Sequence, residues 1–371
     1  MGRPKNLRGF FEIIRDKATI SKEIIISKLP NNTSSLNLAI LRATSSEQSS
    51  TPPHENQIIS VLSFGHSSRI TASSCIESLM NRLHHTHNSY VSTKCLIIIH
   101  NIIKRGSFIL QDQLSIYPSN GGKNYLNLSN FRDNSNQETW ELSSLVRWYA
   151  RILESLLLTS RVLGFFLSSE FKGPDSDYFL YYKSDKHKRD ADEEHEKEKA
   201  SALLNEELLK EIEVVVGLVE EISKASELLN LKQSKLVCQV MNLVSEDYYS
   251  AQKRIMIRLN EVKERMSNFS FGESVEFNCV MKRLKNCEEK VLLLFLNHKG
   301  VGFWDLVDEL MKEKIGTEKD SGRSVMVMSR KGRSSESARY DQRDLKLDDF
   351  RFSSGRFDFN RVQSGLRFLN I

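Results

Sequence analysis

Along most of this chain the apolar residues recur at helical spacing. From Leu142, the positions Leu145, Val146, Tyr149, Ile152, Leu153 and Leu156 fall at i+3, i+4, i+7, i+10, i+11 and i+14, one continuous face of a single helix. Ala72, Cys75, Ile76, Leu79, Met80 and Leu83 repeat that spacing, as do Leu204, Leu208, Ile212, Val215, Val219, Ile222 and Leu229. No run alternates apolar and polar residues at period two, so the pattern predicts an all-α fold.

Short polar clusters, Asn31 to Ser35 and Ser45 to Pro53, separate these segments, and Pro52-Pro53 suits the end of a loop and the opening of a helix. Helices joined this closely follow one another as hairpins, and stacked hairpins bury their faces on their neighbours. The expected architecture is therefore a superhelical α-solenoid. The apolar run from Cys95 to Ile103 contains His100 and Asn101. It is about half the ~20 residues that a bilayer requires, so it reads as a buried core helix. Further helices are expected at about 203–230, 234–269 and 274–298. Lys183 to Lys199 is a dense mixed-charge stretch with no apolar face, expected as a solvated loop or an exposed helix start. After Ile315 periodicity gives way to Ser, Arg and Asp. The expected division is 1–170 amino-terminal helices, 171–200 charged linker loop, 201–315 carboxyl-terminal helices and 316–371 disordered tail.

Composition agrees with this picture. Among 371 residues, 39% are hydrophobic, and only 6 prolines and 17 glycines interrupt the chain, which leaves room for long helices and a sizeable core. The five cysteines (Cys75, Cys95, Cys238, Cys279, Cys287) form no disulfide framework or metal-ligand spacing. The amino terminus lacks an apolar signal core, and Asn6 stands where a myristoylation signal requires Ser or Thr. The expectation is a cytosolic protein with at most peripheral membrane contact. The net charge of +5 is unevenly spread. Residues 1–42 carry eight Lys or Arg against three acidic residues, and residues 323–371 carry eleven against six, leaving the middle acidic. Basic ends on an acidic body suit an anionic partner, either membrane or nucleic acid.

Candidate chemistry is sparse. His84, His85 and His87 invite a metal reading, but adjacent helical residues point apart and no Cys or carboxylate completes a ligand set, so no metal site is assigned. His100, inside an apolar helix, reads as a hydrogen-bonded core residue. There is no P-loop, no dinucleotide fingerprint, no Gly-x-Ser-x-Gly elbow and no His-Glu-x-x-His. The expectation is a non-enzyme that needs no cofactor.

Two ordered blocks carry a family resemblance. Tyr125-Leu-Asn-Leu-Ser-Asn-Phe131-Arg-Asp133, followed by Trp140 through Arg147-Trp-Tyr149 to Leu153, resembles the turn and following helix of the ANTH-domain clathrin assembly proteins, members of the ANTH/ENTH group, particularly their plant branch. Upstream, Ser89-Tyr90-Val91 through Lys94 to His100 and Arg105-Gly106 is similar to the helix and loop that precede them in that family. Leu7 to Ile20 and Leu38 to Ser45 are similar to the first two helices of its plant members. The resemblance covers roughly residues 1–310.

What it implies is a superhelical stack that binds phosphatidylinositol 4,5-bisphosphate or another anionic lipid, with a tail that recruits clathrin and adaptor complexes. It also implies SNARE cargo in the carboxyl-terminal grooves, work in endocytosis at clathrin-coated pits and vesicles, and the Golgi as a further membrane. Lys17 matches the first headgroup lysine, while the following Lys-x-Lys-His cluster falls on Thr33, Ser35 and Leu36, none of them basic. Arg15, Lys22, Lys28 and Arg42 lie close by in sequence and are the candidate lipid contacts together with Lys17. The alternative is a solvated basic face on a helical scaffold that has lost lipid specificity, or a nucleic-acid-binding helical protein. The stripe Leu7, Phe10, Phe11 and Ile14 is either an interfacial face or packing against the next helix. In the tail, Asp348-Asp349-Phe350 and Phe357-Asp358-Phe359 resemble short acidic-aromatic ligands of adaptor appendages. Leu345 to Asp349 departs from a clathrin box at Lys346. Arg330 to Glu336 is a basic spacer or a phosphorylation site.

Overall fold

In the computed structural model the described residues, 7–26, 32–46, 50–118, 126–167, 186–225, 234–295 and 302–321, form thirteen α-helices and no strand. The first six are α1 (Leu7–Ile26), α2 (Asn32–Ala43), α3 (Glu55–Leu62), α4 (Arg69–His85), α5 (Ser89–Arg105) and α6 (Phe108–Ser115). They are followed by α7 (Gln137–Leu163), α8 (Lys186–Ala202), α9 (Asn205–Ser223), α10 (Lys235–Arg265), α11 (Phe271–Lys285), α12 (Glu288–Leu294) and α13 (Phe303–Ser321). Each packs mainly on near neighbours in sequence. α1 lies on α2, α2 on α3 and α4, α5 on α7, α7 on α9, and α9 on α10 and α11. This is the expected all-α solenoid of stacked helices.

Local chemistry sets the helix ends. Asn88 opens α5 by accepting from the Tyr90 and Val91 amides at 3.0 and 3.2 Å, which satisfies donors that have no partner in the first turn. α7 begins with a reciprocal pair: Asn136 accepts from the Thr139 amide at 2.8 Å, and the Asn136 amide donates to Thr139 Oγ1 at 3.1 Å. It ends at Gly164, whose φ of 78° is left-handed and favours a residue without Cβ. Ser270 and Glu273 open α11 with the same reciprocal arrangement.

α5 is the centre of the stack. All residues from Ser89 to Lys104 are buried, so it is surrounded by other helices rather than amphipathic. That is why the run over Cys95–Ile103 reads as continuous, and no helix among the described residues is long and apolar enough to cross a membrane. The apolar faces from Leu142 and from Ala72 are buried throughout. In the third face, Leu204 is 70% exposed, because the helix starts only at Asn205 and Leu204 is its extended N-cap. Leu229 lies outside the described residues.

Three boundaries differ from expectation. The helix expected over 274–298 is two, α11 and α12, broken at Asn286 and Cys287. The charged linker expected over 171–200 is helical from Lys186, and 171–185 lies outside the described residues. α8 needs no apolar face, because charge holds it to α10: Lys253 meets Glu193 at 2.7 Å and Arg254 meets Glu196 at 2.7 Å. α13 continues to Ser321, past the expected tail boundary at 315, while 322–371 lies outside the described residues.

Candidate functional site

α1 is tied to the stack by a buried carboxylate. Arg82 of α4 donates from Nη1 to Asp16 Oδ1 at 3.2 Å and from Nη2 to Asp16 Oδ2 at 3.0 Å. Ser46 adds its hydroxyl to Oδ2 at 3.0 Å. The same guanidinium donates from Nε to Thr44 Oγ1 at 2.6 Å and from Nη2 to the Thr44 carbonyl at 3.2 Å. One planar fork thus fixes α1, α4 and the turn after α2 together. Next to it Lys94 donates from Nζ to the Ser45 carbonyl at 2.7 Å, and burial pushes its ammonium down to about 8. Sequence reasoning missed this anchor. The available signal was Arg82, a cation beside Leu79 and Leu83 on a core-facing helix.

Beside the anchor, α1, α2 and α4 enclose an open groove of about 240 Å³. Its walls include Arg15 and Thr19 of α1, Asn37 and Leu41 of α2, and Ser78 and His85 of α4. The candidate lipid contacts divide around it. Arg15 lines the groove, and Lys22, seven residues on, points in nearly the same direction. Lys17 is rotated by about 200° from Arg15 on the same helix, so it faces away from that stripe. Arg42 is exposed in the last turn of α2. Lys28 lies outside the described residues. Arg15, Lys22 and Arg42 are exposed and make no ion pair among the described residues, from which the side chains of Glu12 and Glu23 on α1 are excluded. Of the positions where the family's basic cluster would fall, Ser35 is exposed and Leu36 is 2% exposed and packs in the core, so Leu36 offers nothing to a headgroup. The Thr33 side chain, and those of Leu7, Phe10 and Phe11, lie outside the described residues, while Ile14 is exposed.

The histidines take different roles. Among the described residues no group of three His, Cys, Asp or Glu is placed to hold a metal ion. His84 and His85 pack edge to face at 5.5 Å, and His85 Nδ1 lies 2.7 Å from the Asn81 carbonyl. His100 is fully buried with Nδ1 2.8 Å from the Tyr149 hydroxyl. Its Nε2 stands 2.8 Å from Asp247 Oδ2. Lys104 completes the group, 3.1 Å from Asp247 Oδ1 and 2.9 Å from Glu246. Burial works against the Asp247 carboxylate, but His100 and Lys104 outweigh it and hold the group below the usual carboxylate range. Burial, with Asp247 nearby, pushes the Tyr149 phenol well up. The network joins α5, α7 and α10.

The turn that carries the family motif is also structural. Asp133 is 3% exposed: Oδ2 accepts from the Ser89 amide at 2.9 Å and Oδ1 from the Ser135 amide at 3.1 Å. Its own amide donates to Ser143 Oγ at 2.9 Å, and Arg147 donates to the Phe131 carbonyl at 2.9 Å. The motif therefore links the starts of α5 and α7. Gly106 closes α5, where a Cβ would stand 2.5 Å from the Ile102 carbonyl oxygen. The tail residues Asp348, Asp349, Phe350, Phe357, Asp358 and Phe359 lie outside the described residues.

Comparison with known proteins agrees with these features. The ANTH domain model matches residues 35–303. Three Arabidopsis thaliana proteins named "Putative clathrin assembly protein" are similar over most of their length. At4g40080 is 42% identical, covering 98% of this chain and 99% of its own. At5g10410 is 28% identical over 85% and 87%, and At5g65370 is 28% identical over 84% and 99%. On the matched span and the near full-length likeness together, the chain belongs to the ANTH-domain family.

Proposed function

We propose that this protein is an adaptor of clathrin-coated membranes, acting by binding rather than by catalysis. The carrying observation is the exposed cationic edge of an ANTH-domain chain, with Arg15, Lys22 and Arg42 unmatched by carboxylates among the described residues. Each basic residue near an anionic leaflet contributes about 1 kcal/mol of attraction. The names of the similar Arabidopsis proteins supply the clathrin part of the reading. The lipid is an anionic one that includes phosphatidylinositol 4,5-bisphosphate, met by a diffuse patch of Arg15, Lys17, Lys22, Lys28 and Arg42 rather than by a Lys-x-Lys-His cluster. The tail residues Asp348 to Phe350 and Phe357 to Phe359 engage adaptor complexes, and SNARE helices are the cargo. The site of action is the coated pit and vesicle in endocytosis, with the Golgi as a second membrane. Weak membrane, cargo and coat contacts reinforce one another through effective concentration.

Co-sedimentation of the full chain with vesicles across a phosphoinositide panel tests the reading. The expected result is recruitment to several anionic compositions, lost when Lys17, Lys22 and Lys28 are changed to Glu. Failure to pellet with every anionic vesicle, or pelleting unchanged by the charge reversal, removes the lipid part. Tighter binding to RNA than to vesicles at matched salt favours the nucleic-acid reading instead.

A further inference from the structure

We infer that the outer strip of α7 from Trp140 to Arg151, with Arg132 beside it, is a docking surface for an acidic peptide segment of a partner protein. Carboxylates of the segment meet Arg132, Arg147 and Arg151, and one of its apolar residues lies against Trp140. The inference goes beyond the membrane reading and does not depend on it.

The strip follows from helix geometry. At about 100° per residue, Trp140, Ser144, Arg147 and Arg151 fall within about 60° of one another around α7 and span about 16 Å along its axis. Trp140 is 48% exposed and Arg151 is exposed, while the inner side of the helix is buried in the core. Exposed tryptophan and arginine are the side chains that most often anchor protein interfaces.

Three guanidiniums are gathered here without an anion. Arg132 donates from Nη1 to the Phe131 carbonyl at 2.6 Å and to the Ser129 carbonyl at 3.1 Å. Arg147 donates from Nη1 to that same Phe131 oxygen at 2.9 Å, so one carbonyl holds two like charges together. Arg151 follows Arg147 at the i, i+4 spacing, where like charges repel. Burial, and then the charges of Arg132 and Arg151, push the Arg147 guanidinium down from its ordinary value, yet a guanidinium stays cationic. None of the three forms an ion pair among the described residues. The carboxylates of the same turn and of the start of α7 are engaged elsewhere. Asp133 holds the Ser89 and Ser135 amides, Glu138 meets Tyr90, and Glu141 accepts from Gln137 Nε2 at 2.6 Å. An incoming anion relieves the mutual repulsion of the three cations.

The geometry favours a peptide over a bilayer. The Phe131 and Ser129 carbonyls, with Ser144 Oγ accepting from Arg147 Nη2 at 2.7 Å, draw the Arg132 and Arg147 heads down onto the protein surface. Heads held flat suit a chain that lies along them, whereas a bilayer is met by side chains that reach outwards. Arg132 still offers its Nε and Nη2 edge, the fork that takes a carboxylate with two parallel bonds. Arg147 and Arg151 stand about 6 Å apart along the axis. That is close to the spacing of alternate side chains in an extended chain, at about 3.3 Å per residue, so Glu-x-Glu places one carboxylate on each.

Fluorescence polarisation of the full chain at low salt, with a labelled pool of short peptides carrying Glu-x-Glu-x-Glu between randomised flanks, tests the surface. A matched pool carries Gln-x-Gln-x-Gln. The acidic pool binds and the neutral pool does not. Arg151→Glu relieves the repulsion along α7, so it keeps the melting temperature or raises it, while acidic-pool binding weakens about tenfold or more. Arg132→Gln and Trp140→Ala each weaken binding several-fold. Lys282→Glu, at an exposed cation on α11, leaves it unchanged. Absence of binding, equal binding of the two pools, or an equal loss in Lys282→Glu and Arg151→Glu overturns the proposal. So does an Arg151→Glu variant that keeps peptide binding but loses vesicle pelleting or RNA binding, since the cluster then serves a membrane or a nucleic acid. If wild type fails to pellet with anionic vesicles while the peptide contrast holds, the lipid reading falls and this surface stands.

Discussion

At the joint of α5, α7 and α10, His100, Lys104, Tyr149 and Asp247 are buried and each faces a partner. At the edge made by α1, α2 and α4, Arg15, Lys22, Arg42 and His85 reach solvent, and the three cations have no carboxylate opposite them among the described residues. The two regions hold similar chemistry in opposite states. A buried charge left without its partner costs several kcal/mol, so the joint must be complete in the folded chain. An exposed charge costs almost nothing unpaired and remains available to something else. Polar residues inside the stack therefore report on architecture, and unmatched ones at its edge report on partners.

Asp247→Ala tests the first half of that contrast most severely. It leaves His100 and part of Lys104 buried without their anion, and the expected loss is about 3–5 kcal/mol in urea unfolding. The acid side supplies a second reading. Because the folded Asp247 carboxyl lies below its unfolded value of ~3.9, its contribution is complete above that value. It disappears as pH falls through the lower, folded value, so wild type loses stability across that window more steeply than the variant. Equal slopes, or a loss under 1 kcal/mol in the variant, would break the contrast.

Asp133→Ala comes next in size. It removes the acceptor for the Ser89 and Ser135 amides in a buried turn. Hydrogen bonds to a charged group are worth about 1.5–3 kcal/mol, so a loss of about 2 kcal/mol is expected, with unchanged vesicle binding. A variant of normal stability that no longer pellets would turn the family motif from a structural turn into a contact site.

These two positions explain how far the sequence could be read. Helical period and the buried faces from Ala72 and Leu142 were legible because burial imposes them residue by residue. The turn ending in Asp133 was recognisable as a motif, but its role was not, since the Ser89 amide it caps lies 44 residues away in sequence. Asp16, Arg82 and Thr44 were invisible for the same reason: two helices and the turn after α2 meet at one carboxylate, and no local spacing encodes that meeting. The grouping of Arg15 with Lys22 follows from helical geometry, whereas the groove opposite them depends on α2 and α4. For α8 a solvated loop and an exposed helix start stayed open because apolar periodicity was the criterion, while ion pairs to Lys253 and Arg254 hold it.

The smallest expected effect bears on the edge. Lys22→Ala should leave the unfolding free energy within about 0.5 kcal/mol, since the side chain is exposed and has no carboxylate partner among the described residues. On vesicles it should weaken binding by about 1 kcal/mol, close to fivefold at low salt, and the difference should shrink as ionic strength rises and the Debye length falls. Arg42→Ala, from α2 rather than α1, should do the same independently, so the double variant should show the product of the two factors. A product much larger than that would mean that Lys22 and Arg42 grip one headgroup together, and the edge would then be a defined site rather than a diffuse field.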